Sequence, residues 1–309
     1  MSELRSTREA YGQALVELGG AHPDAVVLDA DLAHATCSNL FHEAYPERFF
    51  NLGIAEQNMF CVAAGMAKCG LVPFAATFAI FGAGRSYEQI RNSICYTGAN
   101  VKIAGHHAGI TPFADGGSHQ CIEDLALMRV LPGMTILSPC DYPQTIMAVH
   151  AAYALNGPVY IRICREPVPA ITEPGVPLEV GKAQLLRDGS DICIVATGYA
   201  THLAVSAAKR LEERGISACV LNMHTVKPLD DEAILDRACT CKRMVAVEEH
   251  SVIGGLGDAV GGVVLGKEPV RFAKIGIEDR FGQSGLMAEL FEEYGLTTQH
   301  VEEVCLGLF

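Results

Sequence analysis

The stretch FFNLGIAEQNMFCVAAGMAKCGLVPFAAT, residues 49 to 77, decides the fold. It opens with an apolar run of strand length, FFNLG at 49 to 53, passes through a segment of helical period, and returns to a second apolar run, VPFAAT at 72 to 77. Strand, helix and strand within about 30 residues is the unit of a parallel sheet. On a helix beginning near Ala55, the residues Met59, Val62, Ala63 and Met66 recur at i, i+3, i+4 and i+7 and form an apolar stripe. Glu56 lies on that stripe. A carboxylate in a first helical turn complements the positive end of the helix dipole. It also suits a carboxyl kept in apolar surroundings so that it is protonated, or shares a proton, near neutral pH. That second reading requires a ligand nitrogen and flat neighbours. TFAIF offers Phe78 and Phe81 just after a predicted strand, at the end where open α/β sheets bind ligands, although either ring also reads as core.

Outward from this unit the same rhythm continues. Candidate strands are AVVLD (25 to 29), VKIAG (101 to 105), MTILS (134 to 138) and PVYIRIC (158 to 164), with helical segments between them, including 80 to 97 and 142 to 155. EPVPAITEPGVP, 166 to 177, holds four prolines and reads as a linker. Beyond it come DICIVAT (191 to 197), a helix ending on Gly215, ACVLNM (218 to 223), DDEAILDRA, MVAVEEH (244 to 250) and the glycine-rich SVIGGLGDAVGGVVLG. The expected fold is α/β, two domains, each a mainly parallel sheet flanked by helices.

Half of the 309 residues are hydrophobic and the formal charge is −13 with no run of Lys or Arg, which argues against a nucleic-acid or anionic-membrane surface. The twelve cysteines are scattered singly rather than in CxxC pairs, so reduced thiols in a cytoplasmic protein are expected, not a zinc site or a disulfide scaffold. The amino terminus has no apolar signal region, and no stretch approaches the roughly 18 uninterrupted apolar residues of a membrane span.

HHAGITPFADGGSHQ, 106 to 120, places three histidines and an aspartate in a long Gly- and Pro-marked loop, a common setting for binding. His119 also reads as part of a helix cap with Ser118, His106 as a solvated side chain, and Arg8 by itself as a surface charge.

Taken together, DADLA at 29 to 33, GIAEQNM at 53 to 59, TFAIFGAGRSYEQIR at 77 to 91, DGGSHQ at 115 to 120, VKPLDDEAIL and VEEHSVIGGLGDAV resemble the carboxy-terminal half of transketolase, in particular the separate carboxy-terminal subunit of split bacterial transketolases. The resemblance implies a pyrimidine-binding domain over 1 to 165, a linker over 166 to 182 and a transketolase carboxy-terminal domain over 183 to 309. It implies that Glu56 hydrogen-bonds the pyrimidine of thiamine diphosphate and that Phe78 and Phe81 form the wall against which the ring stacks. His107, Arg8 and Arg165 match residues that hold a sugar phosphate, Asp115 one that contacts a substrate hydroxyl, and His119 one beside the reacting oxygens.

No Gly-Asp-Gly motif for the diphosphate and its metal occurs. The resemblance therefore implies an amino-terminal partner subunit carrying Mg2+ or Ca2+, an active site at the interface, and a dimer of heterodimers. Two departures bear on the substrate: Ala35 replaces a phosphate-binding serine, with Thr36 and Ser38 close by, and Phe113-Ala114 replaces Gly-Glu before Asp115. They leave open whether the distal anion is phosphate or sulfonate. Three competing readings are a β subunit of a 2-oxo acid dehydrogenase or a deoxyxylulose-phosphate synthase fragment, a non-catalytic paralogue that only binds a partner, and a dinucleotide site at GGLGDAVGG.

Overall fold

The computed structural model describes residues 4–309; Met1 to Glu3 of the first expected domain lie outside the described residues. A seven-stranded sheet runs in the order Thr225–Lys227, Thr135–Leu137, Val159–Arg162, Lys102–His106, Val72–Phe78, Ala25–Asp29, Phe49–Asn51. Every pairing in it is parallel except that of the Thr225–Lys227 edge. A five-stranded sheet follows the order Arg271–Ile277, Arg243–Ser251, Ile192–Ala196, Ala218–Asn222, Gln184–Arg187, with only the last antiparallel. The architecture is two α/β units, each a mainly parallel sheet between helices.

Strand alternation explains why both faces are covered. In Ala25–Asp29, Val26 and Leu28 face a core shared with Met59, Phe60 and Ala63 of helix Glu56–Lys68, while Val27 faces the opposite core with Tyr11, Leu15 and Leu18 of helix Thr7–Ala21. In the second sheet, Ile192 and Ile194 pack on helices Ala200–Glu213 and Thr298–Leu306, and Cys193 and Val195 on Asp231–Cys241 and Leu256–Val264. Cys193, Cys219, Cys241 and Cys305 are small core residues with free thiols.

The linker is tied down. Val168–Pro169 pairs with Leu4–Arg5, and Asp141 Oδ2 accepts the N–H groups of Ile171 and Thr172, each at 2.7 Å. The chain beyond the linker also returns to the first sheet, since Thr225–Lys227 supplies its edge strand. Segment 80 to 97, read from sequence as one helix, contains wide π-type turns at Ile80–Arg85 and Ile90–Cys95 around a short α-helical piece. Gly82 and Gly84 favour such a departure, and π-turns recur at functional sites.

Candidate active site

Parallel strands end together, and here their carboxyl ends bring the expected residues to one place. Phe78 ends Val72–Phe78, His107 follows Lys102–His106, Arg165 follows Val159–Arg162, and Asp31 follows Ala25–Asp29. Glu56 arrives from the side, in the first turn of its helix. It is 2% exposed. Its Oε1 accepts Arg85 Nη1 at 2.8 Å, and the Arg85 guanidinium lies 4.4 Å from the centroid of the Phe81 ring. The surroundings of Glu56 are therefore not purely apolar, because a cation that sequence reasoning missed already pairs with it.

Phe78 and Phe81 stack with centroids 5.7 Å apart and planes 16° off parallel. His107 lies 4.0 Å from Phe78, and His119 meets Phe81 edge-on at 5.4 Å. A pocket of about 410 Å³ opens among Asp31, Glu56, Phe81, Arg85 and His119. A larger surface groove, about 870 Å³, lies between Leu256–Val264 and Arg271–Ile277 and contains none of these residues.

A second group forms around Arg8 and Arg165. Arg8 donates to the carbonyls of Ala35 (2.8 Å) and Arg165 (3.2 Å), and Arg165 pairs with Asp115 at 3.1 Å. Arg8 is thus no free surface charge. His107 is buried in the left-handed region at φ +56°. Its pKa is pushed down to about 3 by burial, then by Arg8, Arg165 and His119, so it meets a ligand as a neutral donor or acceptor, not as a cation. His119 is half-buried and shares a 3.0 Å hydrogen bond with Ser118, but no helix begins there to be capped.

One expectation is corrected. His106, read as solvated, is fully buried edge-on to Tyr11, and neither ring nitrogen has a partner among the described residues. Burial holds it neutral, well below the usual imidazole range. Its place on an inward-facing strand end, not its polarity, decides this. Thr36 and Ser38 do not replace the hydroxyl missing at Ala35, because both donate to Asp29 Oδ2 at 2.9 Å. Those hydroxyls serve the loop.

The loop carrying Asp115 and His119 leans on the second unit. Gly285 N–H donates to the Phe113 carbonyl at 3.2 Å, Gln120 Nε2 donates to the Gln283 carbonyl at 3.0 Å, and Phe113 packs against the second core. At the glycine-rich turn, Glu248 accepts the N–H groups of Leu256 (2.6 Å) and Gly257 (2.8 Å) at the start of helix Leu256–Val264. A dinucleotide phosphate would need those same groups.

The transketolase pyrimidine-binding domain family matches residues 4–170, and the transketolase C-terminal domain family matches residues 181–301. The chain belongs to the transketolase family. A solved split-gene transketolase, an inactive beta4 tetramer, is 49% identical with a TM-score of 0.90, covering 99% of both chains. The 6-deoxy-6-sulfo-D-fructose transketolase subunit of Clostridium sp. (strain MSTE9) is 41% identical over 95% of this chain and 91% of its own. An apulose-4-phosphate transketolase subunit of Phocaeicola vulgatus is 36% identical over 99% and 98%. The chain is thus a carboxy-terminal, split-type member of the transketolase family.

Proposed function

We propose that this chain is the carboxy-terminal subunit of a two-chain transketolase, moving a two-carbon ketol unit from a ketose phosphate to an aldose phosphate. The reading rests above all on buried Glu56 and Phe81 lining one pocket, with Phe78 stacked against Phe81. An aromatic face beside a sequestered carboxyl suits a flat, nitrogen-containing ring, so these residues fit the pyrimidine of thiamine diphosphate. Glu56 would bond its ring nitrogen, with Phe78 and Phe81 facing it. When bound, the cofactor supplies the electron sink that lets the C2–C3 bond of a ketose break and a new bond form to an aldehyde carbon. Arg85 shares Glu56 Oε1 but is about half exposed, at 48% for its side chain, so water could take over its hydrogen bonds if a ring nitrogen displaced it.

At the other end, Arg8, Arg165 and neutral His107 would hold the distal anion, Asp115 a hydroxyl, and His119 a proton near the reacting oxygens. The diphosphate and its Mg2+ or Ca2+ would belong to an amino-terminal subunit, the two chains assembling as a dimer of heterodimers. The two curated relatives carry a sulfonated and a phosphorylated sugar in their names, so both anions stay in the substrate class.

Purifying the chain with that subunit and assaying two-carbon transfer between pentose phosphates tests the reading. Cofactor binding with transfer only from a sulfonated ketose would move the substrate; absence of cofactor binding would leave a partner-binding scaffold. In the active complex, Arg165→Ala is expected to raise KM for phosphorylated sugars about 10- to 100-fold, the worth of one charge-assisted hydrogen bond, while a short uncharged acceptor aldehyde is unaffected. Equal losses for both acceptors would remove Arg165 from the anion site.

A further inference from the structure

Glu249 lies on strand Arg243–Ser251 of the second unit, on the face that also carries Val245 and Val247. It is 1% exposed. Its Oε1 accepts the backbone N–H of Ile110 at 2.6 Å and of Thr111 at 2.9 Å, while Oε2 has no partner among the described residues. The segment it grips joins His107 to Asp115 and His119. Thr111 carries the hold further: its Oγ1 donates to the Ala108 carbonyl at 2.9 Å and accepts the N–H of Arg165 at 3.1 Å. Two of the three chain segments of the anion-holding group, those of His107 and Arg165, therefore trace back to one carboxyl group.

The fit leaves no slack. A Cβ at Gly109, where φ is +71°, would stand 2.2 Å from Glu249 Oε1, so only glycine lets the backbone lie against the carboxyl. A group in such a site is costly to bury without a use, and burial pushes the Glu249 pKa up to about 7 against the pull of Arg162 and the two amides. A neutral side chain of the same shape should thus reproduce much of its hold.

We infer that Glu249 is a positioning residue through which the second domain sets the backbone of His107 and Arg165 for the anionic end of the sugar. It acts through the loop and touches no substrate. The inference rests on the transketolase reading above, and it gives the second domain a task beyond assembly.

The test compares Glu249→Ala and Glu249→Gln in the full chain with its partner subunit. Glu249→Ala should raise KM for the sugar phosphate acceptor about tenfold, the effect of roughly 1.4 kcal/mol, with kcat changed less than about threefold. Glu249→Gln, which keeps an oxygen for Ile110 and Thr111, should return KM to within about threefold of the unaltered complex. Hydrogen exchange in the same samples should speed up across residues 108 to 120 in the Ala variant and not in the Gln variant. Unchanged exchange in the Ala variant would overturn the inference, as would faster exchange with KM unmoved, or a loss spread over the whole chain that Gln fails to rescue. An unaltered complex that transfers nothing would defeat the transketolase reading alone; the exchange pattern, with the Kd for ribose 5-phosphate in place of KM, would still decide the role of Glu249.

Discussion

Glu56→Gln should lower two-carbon transfer by the reconstituted complex about 10²- to 10⁴-fold, the range for loss of a positioned acid or base. Gln keeps the volume and a hydrogen-bonding oxygen, but its amide holds no transferable proton. Folding should be spared. Glu56 is buried at a helix start, and the partner left behind, Arg85, is half exposed and finds water. The expected pattern is therefore an unchanged melting temperature, a cofactor Kd shifted modestly, and turnover nearly abolished. Glu56→Ala should lose as much turnover and more cofactor affinity, since the ring nitrogen then faces a void. Turnover surviving in either variant would show that the shared proton resides elsewhere, and the functional assignment of this pocket would fall with it.

How far the sequence foretold this site depends on the kind of signal each residue left. AVVLD at 25 to 29 became the strand Ala25–Asp29 to the residue, because a fully buried parallel strand is an unbroken apolar run that few other states accept. TVK at 225 to 227 and QLLR at 184 to 187 gave no warning. They are short edge strands whose state is set by pairing with distant neighbours, Thr135–Leu137 and Ala218–Asn222. The second half after the glycine-rich turn was equally silent, although RFAKIGI forms the edge strand Arg271–Ile277.

The same asymmetry holds among site residues. Glu56, Phe78 and Phe81 were visible as polar or aromatic groups at a helix start or strand end, and His107 and His119 as histidines of a Gly- and Pro-marked loop, and the fold gathers them. Arg85, Asp124 and Glu249 were passed over. Yet Glu249 gave the very signal that drew attention to Glu56: a carboxylate set in an apolar run, here MVAVEEH. What periodicity cannot supply is the partner, since Glu249 meets amides some 140 positions away, across the domain boundary.

Asp124→Ala should be the most damaging change to stability, costing about 3–5 kcal/mol, because it breaks a buried ion pair and strands one charge. Asp124 is wholly buried and Arg162 3% exposed; Arg162 Nε meets Asp124 Oδ2 at 2.9 Å, and the Tyr160 hydroxyl donates to the same oxygen at 2.9 Å. The guanidinium also donates through Nη2 to the Glu249 carbonyl at 2.8 Å. One aspartate therefore anchors helix Asp124–Arg129 to strand Val159–Arg162 and, through arginine, the second sheet to the first. Exposed pairs give the contrast: removing Asp188 from its contact with Arg237 should cost about 0–1 kcal/mol, since water replaces the partner. Urea unfolding of the full chain should show the Asp124→Ala midpoint falling well below that of Asp188→Ala. Adding Arg162→Met to Asp124→Ala should recover part of the loss, because the stranded charge, more than the missing attraction, sets the cost. If Asp124→Ala unfolds no earlier than Asp188→Ala, Arg162 must reach solvent in the folded chain, and the tie between the two sheets is not made by this pair.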